Sequence, residues 1–266
     1  RPDSGYSFNQ LSAQKEFICD IARANRKDVR DTVEAASKSK IASLNNFNRS
    51  QILFYLAENL SQRKETFVNL LISITGVNKN QALKEFEQSC ERIFYYASMA
   101  DKFEGNIHNP PMRGLTLAVK ESIGIVASIM NDHQPLLSLS TIISSIFANG
   151  NAGIIVPSEK TSLIATSFYQ VFETSDIPAG SINILTAKEN ELNETLTQHE
   201  NIDGIWTFSN NAKVRSSIIH GTVFNLKRYW CPKNNNIDWA NTSEDFLNEF
   251  LYEGSQVKNI WIPYGE

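Results

Sequence analysis

Residues 122–129 read Ser122-Ile123-Gly124-Ile125-Val126-Ala127-Ser128-Ile129. A helix-length stretch from Leu136 to Ala148 follows, and then a second short apolar run, Gly153-Ile154-Ile155-Val156. Two short apolar runs separated by a helix-length segment are the pattern of parallel strands, which cannot be joined by a tight turn and need a crossover. The alternation continues downstream, with helices predicted over Lys160–Thr174, Glu189–Thr197 and Asn211–His220 and strands over Ser181–Leu185, Gly204–Phe208 and Leu226–Cys231. Gly, Pro, Asn and Ser fill the turns between them. The repeated β-units predict an α/β fold built on an open, doubly wound, Rossmann-like parallel sheet. Sheets of this kind bind ligands outside the carboxyl ends of their strands.

Upstream the period is helical. Arg49–Arg63 places Ile52, Leu53, Leu56, Ala57 and Leu60 along one face, with Asn48 available as a cap. Lys64–Thr75 continues as a second helix stopped by Gly76. Lys79–Lys102 aligns Leu83, Phe86, Cys90, Ile93 and Ala97, which makes Cys90 a core residue. After the turn His108-Asn109-Pro110-Pro111, Leu115–Val119 reads as a strand ahead of residues 122–129. Residues 1–27 lack sustained periodicity and read as an arm or linker with a short helix near Ala13–Arg23. Beyond Cys231 come a polar loop over Pro232–Asn236, a helix over Glu244–Tyr252 and a strand over Val257–Ile262. The expected organisation is an arm at 1–27, a main domain at 28–231, and a linker with a closing strand at 232–266.

The whole chain has 266 residues, with 25 Lys plus Arg against 29 Asp plus Glu. A net charge of -4 without a basic stripe argues against nucleic acid as a partner. The longest apolar stretch, Leu136–Ala148, is broken by serines and falls short of the roughly 20 residues that span a bilayer, so no membrane helix is expected. Cys19, Cys90 and Cys231 are too few and too scattered for a disulfide framework or a metal site, and a cytoplasmic setting is expected. The first residues, Arg1-Pro2-Asp3-Ser4-Gly5, hold neither an apolar leader nor a starting Met, which reads as a piece of a longer protein.

Several stretches resemble the aldehyde dehydrogenase superfamily in order and spacing. They are Phe94-Tyr95-Tyr96-Ala97-Ser98-Met99-Ala100-Asp101-Lys102-Phe103-Glu104-Gly105, then Glu121 to Val126, Ala148-Asn149-Gly150-Asn151, Pro157-Ser158-Glu159-Lys160-Thr161, Ile177 to Ile184, and His199 to Asp203. The likeness covers roughly residues 28–231, the family's cofactor-binding half. It implies a nicotinamide cofactor, NAD or NADP, and a chemistry that needs a thiolate nucleophile, an amide donor for the oxyanion and a carboxylate that activates water.

The family's positions are only partly filled. His133 stands where the resemblance puts the oxyanion asparagine, and Pro232 where it puts the water-activating glutamate, with Asn234 and Asn235 replacing glycines. No cysteine follows Cys231, which itself reads as a buried structural thiol at a strand end. No catalytic residue is therefore assigned. The cofactor site is predicted at Ile129, Met130, Ser158 and Glu159. Val156 replaces a ribose-binding lysine, at a cost of about 1.5–3 kcal/mol for one charge-assisted hydrogen bond. Glu159 reads first as a first-turn carboxylate of the helix that follows, with a surviving ribose ligand as the competing reading. Thr207-Phe208-Ser209-Asn210 replaces a glycine-bearing phosphate turn, so NAD or NADP is expected to bind weakly or not at all.

The tail Val257-Lys258-Asn259-Ile260-Trp261-Ile262-Pro263 resembles the family's terminal oligomerisation strand, predicted to pair around Leu115–Val119. The chain is thus similar to the incomplete C-terminal copy of family-sixteen aldehyde dehydrogenases. The resemblance implies a catalytically incompetent structural, oligomerisation or protein-interaction module of a larger protein, partnered by another aldehyde dehydrogenase copy or by itself. The alternatives are a segment of an active NAD(P)-dependent oxidoreductase whose catalytic residues lie elsewhere, and a small-molecule sensor that binds nucleotide through the Ile129-Met130 strand end and Glu159.

Overall fold

The computed structural model describes residues 5–103, 105–111, 113–232 and 237–264. All but Pro232 of the expected loop over Pro232–Asn236, including the Asn234 and Asn235 replacements, lies outside these residues, as do Arg1 to Ser4 and Glu104. The chain opens with an antiparallel hairpin of β1 (Ser7–Leu11) and β2 (Phe17–Ala22), not with the helix expected near Ala13–Arg23. The inward side chains of β1 are Phe8 and Gln10, and so polar a strand carries little apolar alternation to read. Four helices follow: α1 (Arg26–Ser37), α2 (Asn46–Ser61), α3 (Lys64–Thr75) and α4 (Lys79–Met99). Asn45, rather than Asn48, caps α2, accepting the Asn48 N–H at 2.8 Å. Helix α3 ends at Gly76 in the left-handed region, φ 74°.

Strands β3 (Asn106–His108) and β4 (Gly114–Ser122) form a small antiparallel sheet, and β5 (Ile125–Ile129) turns into the body. Gly124 makes this corner at φ 123°. Any Cβ there would run into the Asp203 carboxylate, which accepts the Ile125 N–H at 2.8 Å. Helix α5 (Pro135–Ala148) is buried at all its residues, between α4 and the sheet, as an all-round apolar helix should be. Three of its hydroxyls bond back to the helix: Ser138 to Pro135 O, Thr141 to Leu137 O and Ser145 to Ile142 O.

Then come β6 (Ala152–Val156), a 3₁₀ turn at Glu159–Thr161, α6 (Ser162–Ser167), α7 (Tyr169–Phe172), β7 (Ile182–Ile184), α8 (Asn193–Gln198), β8 (Gly204–Thr207), α9 (Ala212–Val223) and β9 (Arg228–Trp230). The single helix expected over Lys160–Thr174 is broken into these short pieces. Ser162 and Ser167 bond back to the carbonyls of Ser158 and Leu163, and the Tyr169 hydroxyl leaves the helix to accept the Ile184 N–H at 2.8 Å. The helix expected from Glu189 begins only at Asn193, because Asn190 sits at φ 68°. The parallel sheet has the order β7-β6-β5-β8-β9. Its first strand in sequence is central, with β6 on one side and β8 on the other, which is the doubly wound arrangement with a switch point at β5.

The chain closes with α10 (Glu244–Glu253) and β10 (Ser255–Pro263). Strand β10 pairs antiparallel with β4 along its whole length, from Ser255 opposite Ser122 to Pro263 opposite Gly114. Asn151, fully buried, ties the two sheets together: Oδ1 accepts the Ile123 and Gly124 N–H groups at 2.8 and 2.9 Å while Nδ2 donates to Gly254 O at 2.6 Å. No helix among the described residues is long and apolar enough to cross a membrane.

Candidate functional site

A cleft of about 300 Å³ opens at the carboxyl ends of β7, β6, β5 and β8. Its floor is apolar, from Ile129 and Met130 past β5 to Val156 and Pro157 past β6, with Leu192 and Val214 on the flanks. Switch-point topology puts it there, since the loop after β5 leads away towards β6 and the loop after β8 leads the other way towards β9. Ser158 and Glu159 line the same cleft as Ile129 and Met130, so the structure brings all four of the sequence-predicted cofactor residues to one place. Glu159 is half-buried in the 3₁₀ turn, and its Oε2 accepts the Glu189 N–H at 3.4 Å.

Several lining or supporting residues went unnoticed in the sequence. Asp132 and Lys160 face each other across the mouth, with Lys160 Nζ 2.7 Å from Asp132 Oδ2. The hydrogen bond from Lys160 holds the Asp132 carboxyl below its usual range, and the same bond raises Lys160. Both lie a few residues past the ends of adjacent parallel strands, a position that could have flagged them. Gln10, from the hairpin and 1% exposed, donates to Lys160 O at 2.7 Å and accepts the Leu163 N–H at 3.2 Å, holding the 3₁₀ turn from outside.

The loop over Asn131–Gln134 leads into α5. Asn131 donates to Phe208 O at 3.0 Å and accepts the His133 N–H at 3.2 Å, while Gln134 adopts φ 43° just before Pro135. Proline at the first helical position has no N–H to satisfy, so the first free donors of α5 are Leu136 and Leu137. Glu85 of α4 takes both, at 2.9 and 3.4 Å. Burial pushes the Glu85 carboxyl up to about 7 against the pull of these two amides.

Past β8, where Ser209, Asn210 and Asn211 line the cleft, α9 begins. The Asn211 side chain accepts the Lys213 N–H at 3.0 Å, Ser209 Oγ accepts the Asn211 N–H at 3.2 Å, and Ser209 O accepts from the Arg215 guanidinium at 2.8 Å. Beside β8 and β9, Phe208, Trp230, Trp239 and Phe250 pack ring against ring at 5.0–6.2 Å.

Residues 7–230 match the aldehyde dehydrogenase family. The chain belongs to the aldehyde dehydrogenase family. The cytosolic 10-formyltetrahydrofolate dehydrogenase of Pongo abelii is 27% identical over 221 residues, 79% of this chain and 24% of that protein. The betaine aldehyde dehydrogenase of Bacillus subtilis (strain 168) is 25% identical over 263 residues, 94% of this chain and 52% of its own length. The crystal structure of PnpE from Pseudomonas sp. WBC-3 superposes with a TM-score of 0.82 at 25% identity, covering 86% of this chain and 48% of that one. PnpE has also been solved in complex with nicotinamide adenine dinucleotide. The chain thus spans between about a quarter and about half of these relatives. The family match begins inside the hairpin, ahead of Asp28 where the resemblance was read to start.

Within this aldehyde dehydrogenase domain His133 and Pro232 stay outside the cleft lining. His133 is exposed. Pro232 is half-buried, and its carbonyl accepts from Cys231 Sγ at 3.6 Å. Cys231 is itself half-buried rather than a buried core thiol, because β9 ends at Trp230 and the chain leaves the sheet there. Cys90 is buried as expected; burial, helped by the nearby Glu87 and Glu91 charges, pushes its thiol up to about 12.

Proposed function

We propose that this aldehyde dehydrogenase domain has no catalytic competence of its own and serves a larger aldehyde dehydrogenase-family protein as a docking module for another copy. Strand β10 carries the proposal. Its partner on one side is β4, and among the described residues its other side is an open sheet edge bearing Val257, Ile260, Trp261 and Ile262 in exposed positions. Trp261 is 57% exposed. A long apolar edge is an aggregation hazard in a monomer and a ready template for adding a strand.

The chemistry favours the same reading. A nucleophilic cysteine must ionise near neutral pH. Cys90 is held far above that, and Cys231 is followed by Pro232, which offers no base. Val156 supplies no ammonium to a ribose, and the Ser209 and Asn211 side chains occupy donors at the start of α9 that a pyrophosphate would use. NAD or NADP is then held weakly or not at all. Three unpaired cysteines suit a reducing cytoplasm.

Light scattering on the 266-residue chain tests the docking role. The expected mass is a multiple of 30.0 kDa at micromolar concentration, reverting to one copy in Trp261→Asp. A wild-type monomer throughout that range refutes it, and NAD(P)-dependent oxidation of aldehydes by the chain alone refutes incompetence. A second reading rests on the coverage: since the chain spans only part of its relatives, it serves equally as a segment of an active NAD(P)-dependent enzyme whose nucleophile lies elsewhere.

A further inference from the structure

Helix α5 is capped by a residue of another helix. Its own N-cap is Gln134, whose side chain makes no capping bond. The amides that an N-cap side chain takes, those of Leu136 and Leu137, both go to Glu85 Oε1 of α4. Gln134 Oε1 is left buried with no hydrogen-bond partner. Two acceptors thus serve one buried helix start, and the second has no donor. An ionised Glu85 adds negative charge to this oversupply, whereas a neutral Glu85 relieves it, because a protonated carboxyl carries an O–H donor.

Glu85 is 7% exposed, and burial brings its carboxyl to about 7, so it changes state near neutral pH. No neighbouring charge sets that value. Helix α5 carries no ionisable side chain. Asp132 and His133 in the loop before it, Arg49, Tyr55 and Glu58 on α2, Lys64 and Glu65 on α3, and the charged residues of α4 itself, Arg92 included, make no contribution. The rise comes from burial, opposed by the two amides alone.

The loop that depends on this cap also lines the cleft, through Asn131 and Asp132. It is tied elsewhere by the Asn131 bond to Phe208 O at 3.0 Å and by the exposed Asp132–Lys160 pair, which a surface position makes weak. Gln134 stands at φ 43°, a left-handed conformation that a residue with a side chain keeps only when its surroundings hold it. A hinge there is governed by whatever anchors the Gln134 side chain.

We propose that neutral Glu85 donates its proton to Gln134 Oε1 and latches the Asn131–Gln134 loop over the cleft, and that loss of this proton to solvent frees the loop to lift at Gln134 and unseat Asp132 from Lys160. The closed loop keeps a proton that the open loop, with Glu85 in water, releases. Opening therefore grows with pH from the ordinary carboxyl range up to about 7 and levels off above it.

Amide exchange of the intact chain between pH 5 and 8, corrected for the intrinsic pH dependence of exchange, tests the latch, with Ala127 and Ile154 of the parallel sheet as references. The amides of Asn131–Gln134, Leu136 and Leu137 are expected to exchange faster than the references at every pH. Their opening constant should rise roughly fiftyfold over the range, most of it below pH 7. Glu85→Gln keeps an acceptor for Leu136 N–H and gains a permanent N–H donor for Gln134, so its opening constant stays flat at the low-pH level of the wild type. Gln134→Met keeps the side-chain length and removes the acceptor. Its loop should open about tenfold more at pH 5, and the rise with pH should shrink by the same factor. Three results overturn the latch. Loop amides that exchange only at the rate of Ala127 and Ile154 open only with the whole domain. A wild-type opening constant that is flat with pH removes Glu85 from the role. A Gln134→Met chain that follows the wild type at every pH removes Gln134 as the acceptor.

Discussion

Glu85 makes the stability of this domain depend on pH in the direction opposite to an ordinary salt-bridged carboxylate. Its carboxyl rises from an ordinary value of 4.5 to about 7 because burial outweighs the two amide hydrogen bonds from Leu136 and Leu137. Between those two values the folded chain keeps a proton that the unfolded chain has released, so stability falls as pH rises through this window and levels off above 7. At about 1.4 kcal/mol per pKa unit the loss amounts to about 3 kcal/mol. Glu85→Gln is uncharged at every pH and keeps an oxygen for the 2.9 Å bond from Leu136 N–H. It should match the wild type near pH 4.5 and exceed it by about 2–3 kcal/mol at pH 8. Urea unfolding followed by fluorescence of the buried Trp206, Trp230 and Trp239 measures both proteins across pH 4.5–8.5. Other titrating groups cancel in the difference. A wild-type to E85Q difference that is flat with pH, or that grows in favour of the wild type as pH rises, refutes the claim that burial dominates at Glu85.

Two further predictions concern single buried side chains. Arg92→Met removes hydrogen bonds to Thr141 Oγ1 at 3.2 Å and to the carbonyls of Trp239 and Asn241 at 2.9 Å each; it should cost about 3 kcal/mol in urea unfolding and raise protease cleavage in the segment leading to α10, and a loss below about 1 kcal/mol contradicts the assignment. Gln10→Ala leaves Lys160 O and Leu163 N–H without their partner, and should cost about 1–3 kcal/mol with faster amide exchange over residues 159–163; unchanged exchange there refutes the idea that the hairpin holds the cleft's rim.

The legible parts of this fold are those whose signal is local. Helix α3 occupies the predicted Lys64–Thr75 because its apolar period and the left-handed Gly76 stop are both local, the stop directly following the helix's 12 residues. The parallel strands announce themselves as short apolar runs because both of their faces are buried. The β10 to β4 pairing came from the family resemblance, not from periodicity. The N-terminal hairpin escaped because its inward positions include Gln10, whose partners are 150 and 153 residues away. The broken helix past Lys160 escaped because serine and threonine satisfy helix periodicity while competing for its carbonyls. At the site, strand ends predict where a cleft opens, and Ile129, Met130, Ser158 and Glu159 were placed by that logic and the resemblance together. The Asp132–Lys160 pair is marked in the sequence only by its place just past two strand ends, and the Glu85 cap, which joins elements that only the tertiary fold brings together, has no linear signature.

What holds the carboxyl side of β8 and β9 shut follows from Arg92. A guanidinium 4% exposed is costly to bury, and here it meets a hydroxyl and two backbone carbonyls, with the Phe246 ring 5.6 Å from its Cζ. Neutral acceptors repay that cost only if they are fixed, so the segment from Trp239 to Asn241 must stay in place for the cation to stay buried. Trp239 is fixed in turn by packing against Phe208 and Phe250, at 5.2 and 5.9 Å between ring centres. Cation and aromatic cluster thus depend on each other: removing Arg92 frees the segment, and removing Trp239 strands a charge. The resulting closure lies past β8 and β9, whereas the apolar floor of the cleft lies at the ends of β5 and β6. The same arrangement ties α10, and through Gly254 and Asn151 the root of β10, to the parallel sheet. An edge strand rooted this firmly presents its apolar side chains in a fixed geometry, which lowers the ordering entropy that docking would otherwise cost.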